Sequence, residues 1–163
     1  MARVYVAVGS NLGDREKNFS RAKELVEKIK RTKFLRASAI YETDPVGGPP
    51  QGKYLNAVWE METDLAPKKF LRNLLEVERQ MGRVRSQRNA PRGIDLDLLF
   101  HEDKIIKSNQ LTIPHPRLHE RIFVLQPLAE LAPDFMHPVL KKTIRELYLL
   151  CHPRMGLGGD LTR

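Results

Sequence analysis

Residues 3–29 read RVYVAVGSNLGDREKNFSRAKELVEKI, and two periodicities within them set the architecture. Val4, Val6 and Val8 recur at every second position, the period of a half-buried strand over Arg3 to Val8. Gly9, Ser10, Asn11 and Gly13 supply the residue types that leave a strand and turn. From Asp14, placed as an N-cap, the apolar set Phe19, Ala22, Leu25, Val26 and Ile29 follows the spacing of one helix face. A strand, a turn and an amphipathic helix therefore open the chain.

A similar order returns farther on. Phe34 to Tyr41 reads as a second strand and Tyr54 to Glu62 as a third, with a polar Gly- and Pro-rich loop, Glu42 to Lys53, between them. Pro67 suits the first turn of a second helix and Gly82 its end. Phe70, Leu71, Leu74, Leu75 and Met81 are its predicted buried stripe. A basic loop then precedes the strand Ile94 to Phe100. After Lys104 to Ile106, a Pro-rich turn leads into short helices near Arg117 to Ala132, and a last amphipathic helix covers about Thr143 to Cys151. The tail from about residue 153, with Gly156, Gly158 and Gly159, reads as loose. The order β-α-β-β-α-β is the split β-α-β pattern. It predicts an α+β fold: an antiparallel sheet covered by helices, with C-terminal helical additions, in a single domain over residues 1–163.

Composition narrows the function. The 163 residues are 41% hydrophobic and 29% charged, proportions of a globular chain. No apolar run approaches the ~20 residues of a membrane span, and the opening residues lack the h-region of a signal peptide. The lone Cys151 excludes an internal disulfide framework and suits a reducing, cytoplasmic setting. A net charge of +8 attracts polyanions, whether nucleic acid, acidic lipid or a phosphate-rich small molecule.

The chemistry concentrates in residues 82–100, GRVRSQRNAPRGIDLDLLF. Strand alternation puts Asp95 and Asp97 on one face and Ile94, Leu96 and Leu98 on the other, toward the core. Two adjacent carboxylates repel, and a bound divalent cation removes that cost. Magnesium favours oxygen donors and is held by one or two carboxylates plus substrate phosphates; a metal pair ~3.5–4 Å apart also fits. Arg83, Arg85, Arg88 and Arg92 lie just upstream, and guanidinium groups bind phosphate oxygens in pairs. Acids for metal beside arginines for phosphate suit phosphoryl transfer, although an Arg–Asp salt-bridge network uses the same residue types.

Other motifs carry less. Gly47 to Lys53, GGPPQGK, imitates a phosphate-binding loop, but Tyr54 replaces the needed Ser or Thr and a strand follows where a helix should open. His115 and His119 have the spacing of a zinc pair, yet Pro114 and Pro116 flank the first and no third ligand is near. His115 reads as a polar donor near phosphates, and His137 and His152 as surface residues. Tyr54 and Asn56 share a strand face, where Asn56 is an unusual core-facing residue, and Phe123 alone could be core. Two rivals stay open on these grounds. An RNA-binding module of the same element order needs clustered strand aromatics, and none occur. A two-metal nucleotidyltransferase acting on a polymer is the other.

Several segments together resemble one family. They are GSNLGD near the start, Y-E-T-x-P-x-G at Tyr41 to Gly47, Y-L-N at Tyr54 to Asn56, E-x-x-x-G-R-x-R at Glu78 to Arg85, A-P-R-x-I-D-L-D at Ala90 to Asp97, and I-P-H-P-R with R-x-F-V-L-x-P-L. In this order, from about residue 4 to 138, they resemble the 2-amino-4-hydroxy-6-hydroxymethyldihydropteridine pyrophosphokinases of folate biosynthesis. The resemblance implies a ferredoxin-like fold and transfer of the diphosphoryl group of ATP to the hydroxymethyl oxygen of a reduced pterin, releasing AMP. It implies two Mg²⁺ ions on Asp95 and Asp97, with Arg83 and Arg92 as catalytic arginines. Glu78, Arg85, Arg88, His115 and Arg121 would hold ATP; Thr43, Val46, Tyr54, Asn56 and Phe123 would form the pterin pocket. Gly47 to Lys53 and Arg83 to Ala90 suit lids over the site. The expected partners are small-molecule substrates, not nucleic acid or membrane, and the expected state is a monomer. Asn89 and Leu75 depart from the family pattern, standing where some members carry Trp and Gln.

Overall fold

Alternating valines and an apolar helical stripe build β1 and α1 as the sequence predicts, β1 running longer and taking in Gly9, α1 ending before Ile29. The protein is described by a computed structural model covering residues 1–44, 52–82 and 93–156, the last four without side chains. β1 runs Ala2–Ser10 and α1 Arg15–Glu27. Gly13 turns the chain at φ 72, a left-handed conformation costly for residues with a Cβ. Asp14 then caps α1, its Oδ1 accepting the Lys17 N–H at 3.1 Å. Phe19, Ala22, Leu25 and Val26 are buried; Ile29 is buried too, just past the helix end.

The predicted second strand is two strands. β2 covers Thr32–Ala37 and β3 Tyr41–Thr43, so the first residues of the expected loop belong to the sheet. Between them Ser38 exchanges backbone and side-chain hydrogen bonds with Val58, its Oγ accepting the Val58 N–H at 2.9 Å. β4 spans Tyr54–Thr63, α2 Pro67–Gln80 and β5 Asp95–His101. On α2 the buried stripe is Phe70, Leu74 and Val77, with Glu78; Leu75, expected in it, is 37% exposed.

The main sheet has the order β2-β4-β1-β5, with β3 on the β4 edge, and all named pairs are antiparallel. Each β-α-β unit, β1-α1-β2 and β4-α2-β5, is split by a strand of the other. That is the ferredoxin-like α+β arrangement. A short hairpin, β6 (Ile106–Lys107) and β7 (Thr112–Ile113), fills the stretch read only as a turn. After a 3₁₀ turn at Leu118–Glu120 come α3 (Ile122–Leu131) and α4 (Ile144–Gly156). Thr143 and Glu146 cap α4 reciprocally, Oγ1 accepting the Glu146 N–H at 3.2 Å and Oε1 the Thr143 N–H at 3.0 Å. The helix passes its expected end at Cys151, and the rest of the expected tail lies outside the described residues.

Two cores sandwich the sheet. Val4, Val6, Val8, Leu55, Ala57, Trp59, Met61, Ile94, Leu96 and Leu98 face α1 and α2. Tyr5, Val58, Leu99 and Phe100 face α3 and α4. Strand alternation alone would turn Phe100 the other way. A bulge between Tyr5 and Val6 adds Leu99 to β5 and brings both neighbours to the α3 side. His137 is buried, not surface, and its Nδ1 accepts the Val139 and Leu140 N–H groups at 3.2 and 3.0 Å.

Candidate functional site

The α3 face of the sheet changes character along its strands. Register places Asp95, Gly9, Asn56 and Tyr41 in one row across β5, β1, β4 and β3, and Asp97, Ala7 and Val58 in the next. Ala7 and Gly9 thus lie between the acid pair and Asn56. With strands ~4.8 Å apart, the acids and Asn56 face each other across about 10 Å floored by almost no side chain. The resulting cleft encloses about 370 Å³, its open mouth included, and is lined by Ala7, Gly9, Asn56, Asp95, Asp97, His115, Arg121 and Phe123 among others. Sequence reading took Gly9 for a turn; it pairs on both sides within β1. The available signal was Ala7 and Gly9 alternating with the valines.

Asp95 and Asp97 are half-exposed where Ile94, Leu96 and Leu98 are buried, as alternation predicts. Two carboxylates at i and i+2, roughly 6.6 Å apart along the strand, are hard oxygen donors opening on a cleft. Among the described residues no three His, Cys, Asp or Glu side chains cluster as a metal site. Magnesium held here would complete its shell with phosphate oxygens and water, as Mg²⁺ commonly does. Glu78 on α2 is buried, and its Oε2 accepts the Leu96 N–H at 2.7 Å, anchoring β5 between the two acids.

The opposite wall comes from the segment after β7. The His115 N–H donates to the Leu99 carbonyl at 3.0 Å, which ties this segment to β5. Its Nδ1 accepts the Arg117 N–H at 3.3 Å, so the neutral ring carries its proton on Nε2. Burial, reinforced by the Arg121 charge and opposed by Asp95, pushes the imidazole down to about 4. It is therefore a neutral donor at physiological pH. Arg121, at the start of α3, lies 5.8 Å from the Phe123 ring centroid. Burial lowers its pKa against the opposing pull of Asp97 and Asp95, yet the guanidinium stays charged at working pH.

The polar end across the sheet is built on β3 and β4. Asn56 is 4% exposed and donates from Nδ2 to Thr43 Oγ1 at 2.6 Å. Tyr54 is buried beside it and lies opposite Thr43. The structure thus brings Asp95, Asp97, Asn56, His115, Arg121 and Phe123 into one cleft, with Thr43 and Tyr54 behind Asn56 and Glu78 behind β5. Val46, Arg83, Arg85, Arg88 and Arg92, both expected lids and Asn89 fall largely or wholly outside the described residues. The sequence reading missed Glu130 and Arg15, whose contacts hold β3. No helix among the described residues is long and apolar enough to cross a membrane.

Fold and cleft define a ferredoxin-like α+β domain with a carboxylate pair opening on its α3 face. Residues 5–133 match the model of the 7,8-dihydro-6-hydroxymethylpterin-pyrophosphokinase family, and the chain belongs to that family. It is 43% identical over 127 residues to the 2-amino-4-hydroxy-6-hydroxymethyldihydropteridine pyrophosphokinase of Bacillus subtilis, covering 78% of this chain and 76% of that protein. It is also 39% identical over 142 residues to folic acid synthesis protein fol1 of Schizosaccharomyces pombe, covering 87% of this chain but only 19% of that longer protein. A Plasmodium falciparum HPPK-DHPS crystal structure shares the fold, with a TM-score of 0.77 at 17% identity over 99% of this chain and 45% of that one.

Proposed function

We propose that the chain transfers the diphosphoryl group of ATP to the hydroxymethyl oxygen of 6-hydroxymethyl-7,8-dihydropterin, giving the pterin diphosphate and AMP in folate biosynthesis. The observation that carries this reading is the row Asp95–Gly9–Asn56. A carboxylate pair suited to metal and phosphate lies across a bare floor from an oriented amide suited to a heterocycle edge. The Asn56 amide, with one N–H committed to Thr43, presents fixed donor and acceptor positions to the pterin. Phe123 offers a ring face for stacking. His115 and Arg121 bind ATP oxygens, one as a neutral donor and one as a charge. Arg83, Arg85, Arg88 and Arg92 add phosphate contacts, with Arg83 and Arg92 neutralising charge that develops on the transferred group. Asp95 and Asp97 would hold two magnesium ions, which would supply charge neutralisation to the phosphates. Glu78 acts from behind by fixing β5, in addition to the ATP contact that the family resemblance implies. The chain works as a single-domain monomer in the cytoplasm, without nucleic acid or membrane.

Nucleotide analysis after mixing protein, ATP, Mg²⁺ and 6-hydroxymethyl-7,8-dihydropterin tests this. AMP forming only with the pterin present is the expected result. ADP as product would replace diphosphoryl by single phosphoryl transfer, and free diphosphate would favour a nucleotidyltransferase.

A further inference from the structure

Each residue of the three-residue strand β3 is tied to a different element. Glu42 pairs with Arg15 of α1 at 2.9 Å, and the same guanidinium donates to the Lys53 carbonyl at 2.9 Å. Thr43 accepts from Asn56 of β4. Tyr41, directly opposite Asn56 in the register, donates its hydroxyl to Glu130 Oε1 of α3 at 2.7 Å. Glu130 Oε2 accepts the Ala39 N–H at 2.8 Å, a donor in the corner between β2 and β3. One carboxylate therefore bridges the corner and the strand with two charge-assisted hydrogen bonds.

Glu130 follows Phe123 by seven residues on α3, two helical turns, so both lie on one stripe of the helix about 10 Å apart. The stripe that carries the ring wall of the cleft is thus clamped at its far end to the strand that orients Asn56. Burial and the bond to Glu130 push the Tyr41 hydroxyl up to about 12, so it remains a donor throughout the working range.

We propose that Glu130 is a positioning residue for the pterin acceptor: it sets the gap between Phe123 on α3 and the Thr43–Asn56 pair on the sheet. This rests on reading the cleft as the pterin site. Glu130 is not among the residues that line the cleft, whereas Phe123 and Asn56 are, so its loss should act on pterin more than on ATP.

Steady-state kinetics of wild type, Glu130→Ala, Glu130→Gln and Tyr41→Phe, with thermal melts, test the proposal. Losing bonds to a charged group should raise the KM for pterin about tenfold in Glu130→Ala while leaving the KM for ATP within about twofold. Glu130→Gln should recover most of the loss, because its amide accepts from Ala39 and donates to the Tyr41 oxygen. Tyr41→Phe should fall between. A pterin KM unmoved in Glu130→Ala, or both KM values rising together with a lowered Tm, would overturn the proposal. Wild type that turns over while the alanine variant keeps its pterin KM removes only the role of Glu130. Wild type that makes no pterin-dependent AMP removes the reading of the cleft, and the role of Glu130 with it.

Discussion

Toward α1 and α2, β1 presents Val4, Val6 and Val8, β4 presents Leu55, Ala57, Trp59 and Met61, and β5 presents Ile94, Leu96 and Leu98. On the reverse face the intervening residues are Tyr5, Ala7 and Gly9, then Asn56, Val58 and Glu60, then Asp95, Asp97 and Leu99. The first face is apolar between Ser10 and Thr63, buried polar residues at its two ends whose hydroxyls accept from Asn18 Nδ2 at 3.2 Å and the Leu65 N–H at 3.0 Å. The second is apolar only where α3 and α4 cover it, around Val58, Leu99 and Phe100, and it holds polar groups at both ends. At one end Glu60 is 2% exposed and satisfied by Tyr5 at 2.7 Å, Arg3 at 3.3 Å and Arg36 at 2.8 Å, a structural use of a buried charge. At the other, the carboxylates open on a cleft. Fully burying each aliphatic side chain on the first face contributes roughly 1.5–3 kcal/mol, which lets the same strands carry repelling acids and a bare floor behind them. Fold and chemistry are thereby divided between alternate residues of one sheet.

Substitutions on the two faces should therefore fail in different ways. Asp97→Ala should lower turnover by about 10³-fold or more, since metal-borne charge stabilisation is worth several kcal/mol, while its Tm stays near wild type. AMP assays beside thermal melts check this, and retained activity of more than a few per cent would break the assignment. Leu74→Ala, at a fully buried position on α2, should cost about 2–5 kcal/mol of stability. Its KM values should match wild type at a temperature where it is folded. A rise in pterin KM there would show that the two faces are coupled.

Gly9→Ala probes the floor itself. A Cβ there meets Asn56 Oδ1 at 3.5 Å and Tyr54 Cδ1 at 3.6 Å, ordinary contacts that the fold accommodates. Stability should change by less than about 1 kcal/mol, while the pterin KM rises several-fold; an unchanged KM would place the ligand away from the floor. The effect confined to acid pH is in His115. Its folded pKa, about 4, lies below the ordinary ~6.5, so the fold prefers the neutral ring. Its contribution is present above pH ~6.5 and declines as pH falls toward about 4. Denaturant melts of wild type and His115→Gln from pH 8 to 4 should diverge only below pH ~6.5, and parallel curves would refute the shift.

Much of this division was legible in the sequence because it is periodic. The valines of β1 and the Asp–Leu–Asp–Leu run of β5 state both faces at once, and Asp14 and Pro67 mark the two helix starts. What stayed hidden depends on contacts between distant residues. Nothing local separates β2 from β3 within Phe34 to Tyr41; the corner is made by Val58 and Glu130, far along the chain. Leu75 satisfies the helical period, yet the stripe closes on Val77 and Glu78 instead. The inward turn of Phe100 needs the bulge at Leu99, which alternation cannot foresee. The acid pair was found from its own strand, whereas Gly9 and Ala7 became floor residues only when strand order set them between Asp95 and Asn56.

The proposal that most needs testing is that Asp95 and Asp97 bind the nucleotide through magnesium. Calorimetric titration of ATP, with and without Mg²⁺, into wild type and into Asp95→Asn/Asp97→Asn tests it most directly. Wild type should bind ATP more tightly with Mg²⁺, and the folded double variant should lose that dependence. Equal magnesium dependence in both proteins would contradict the account.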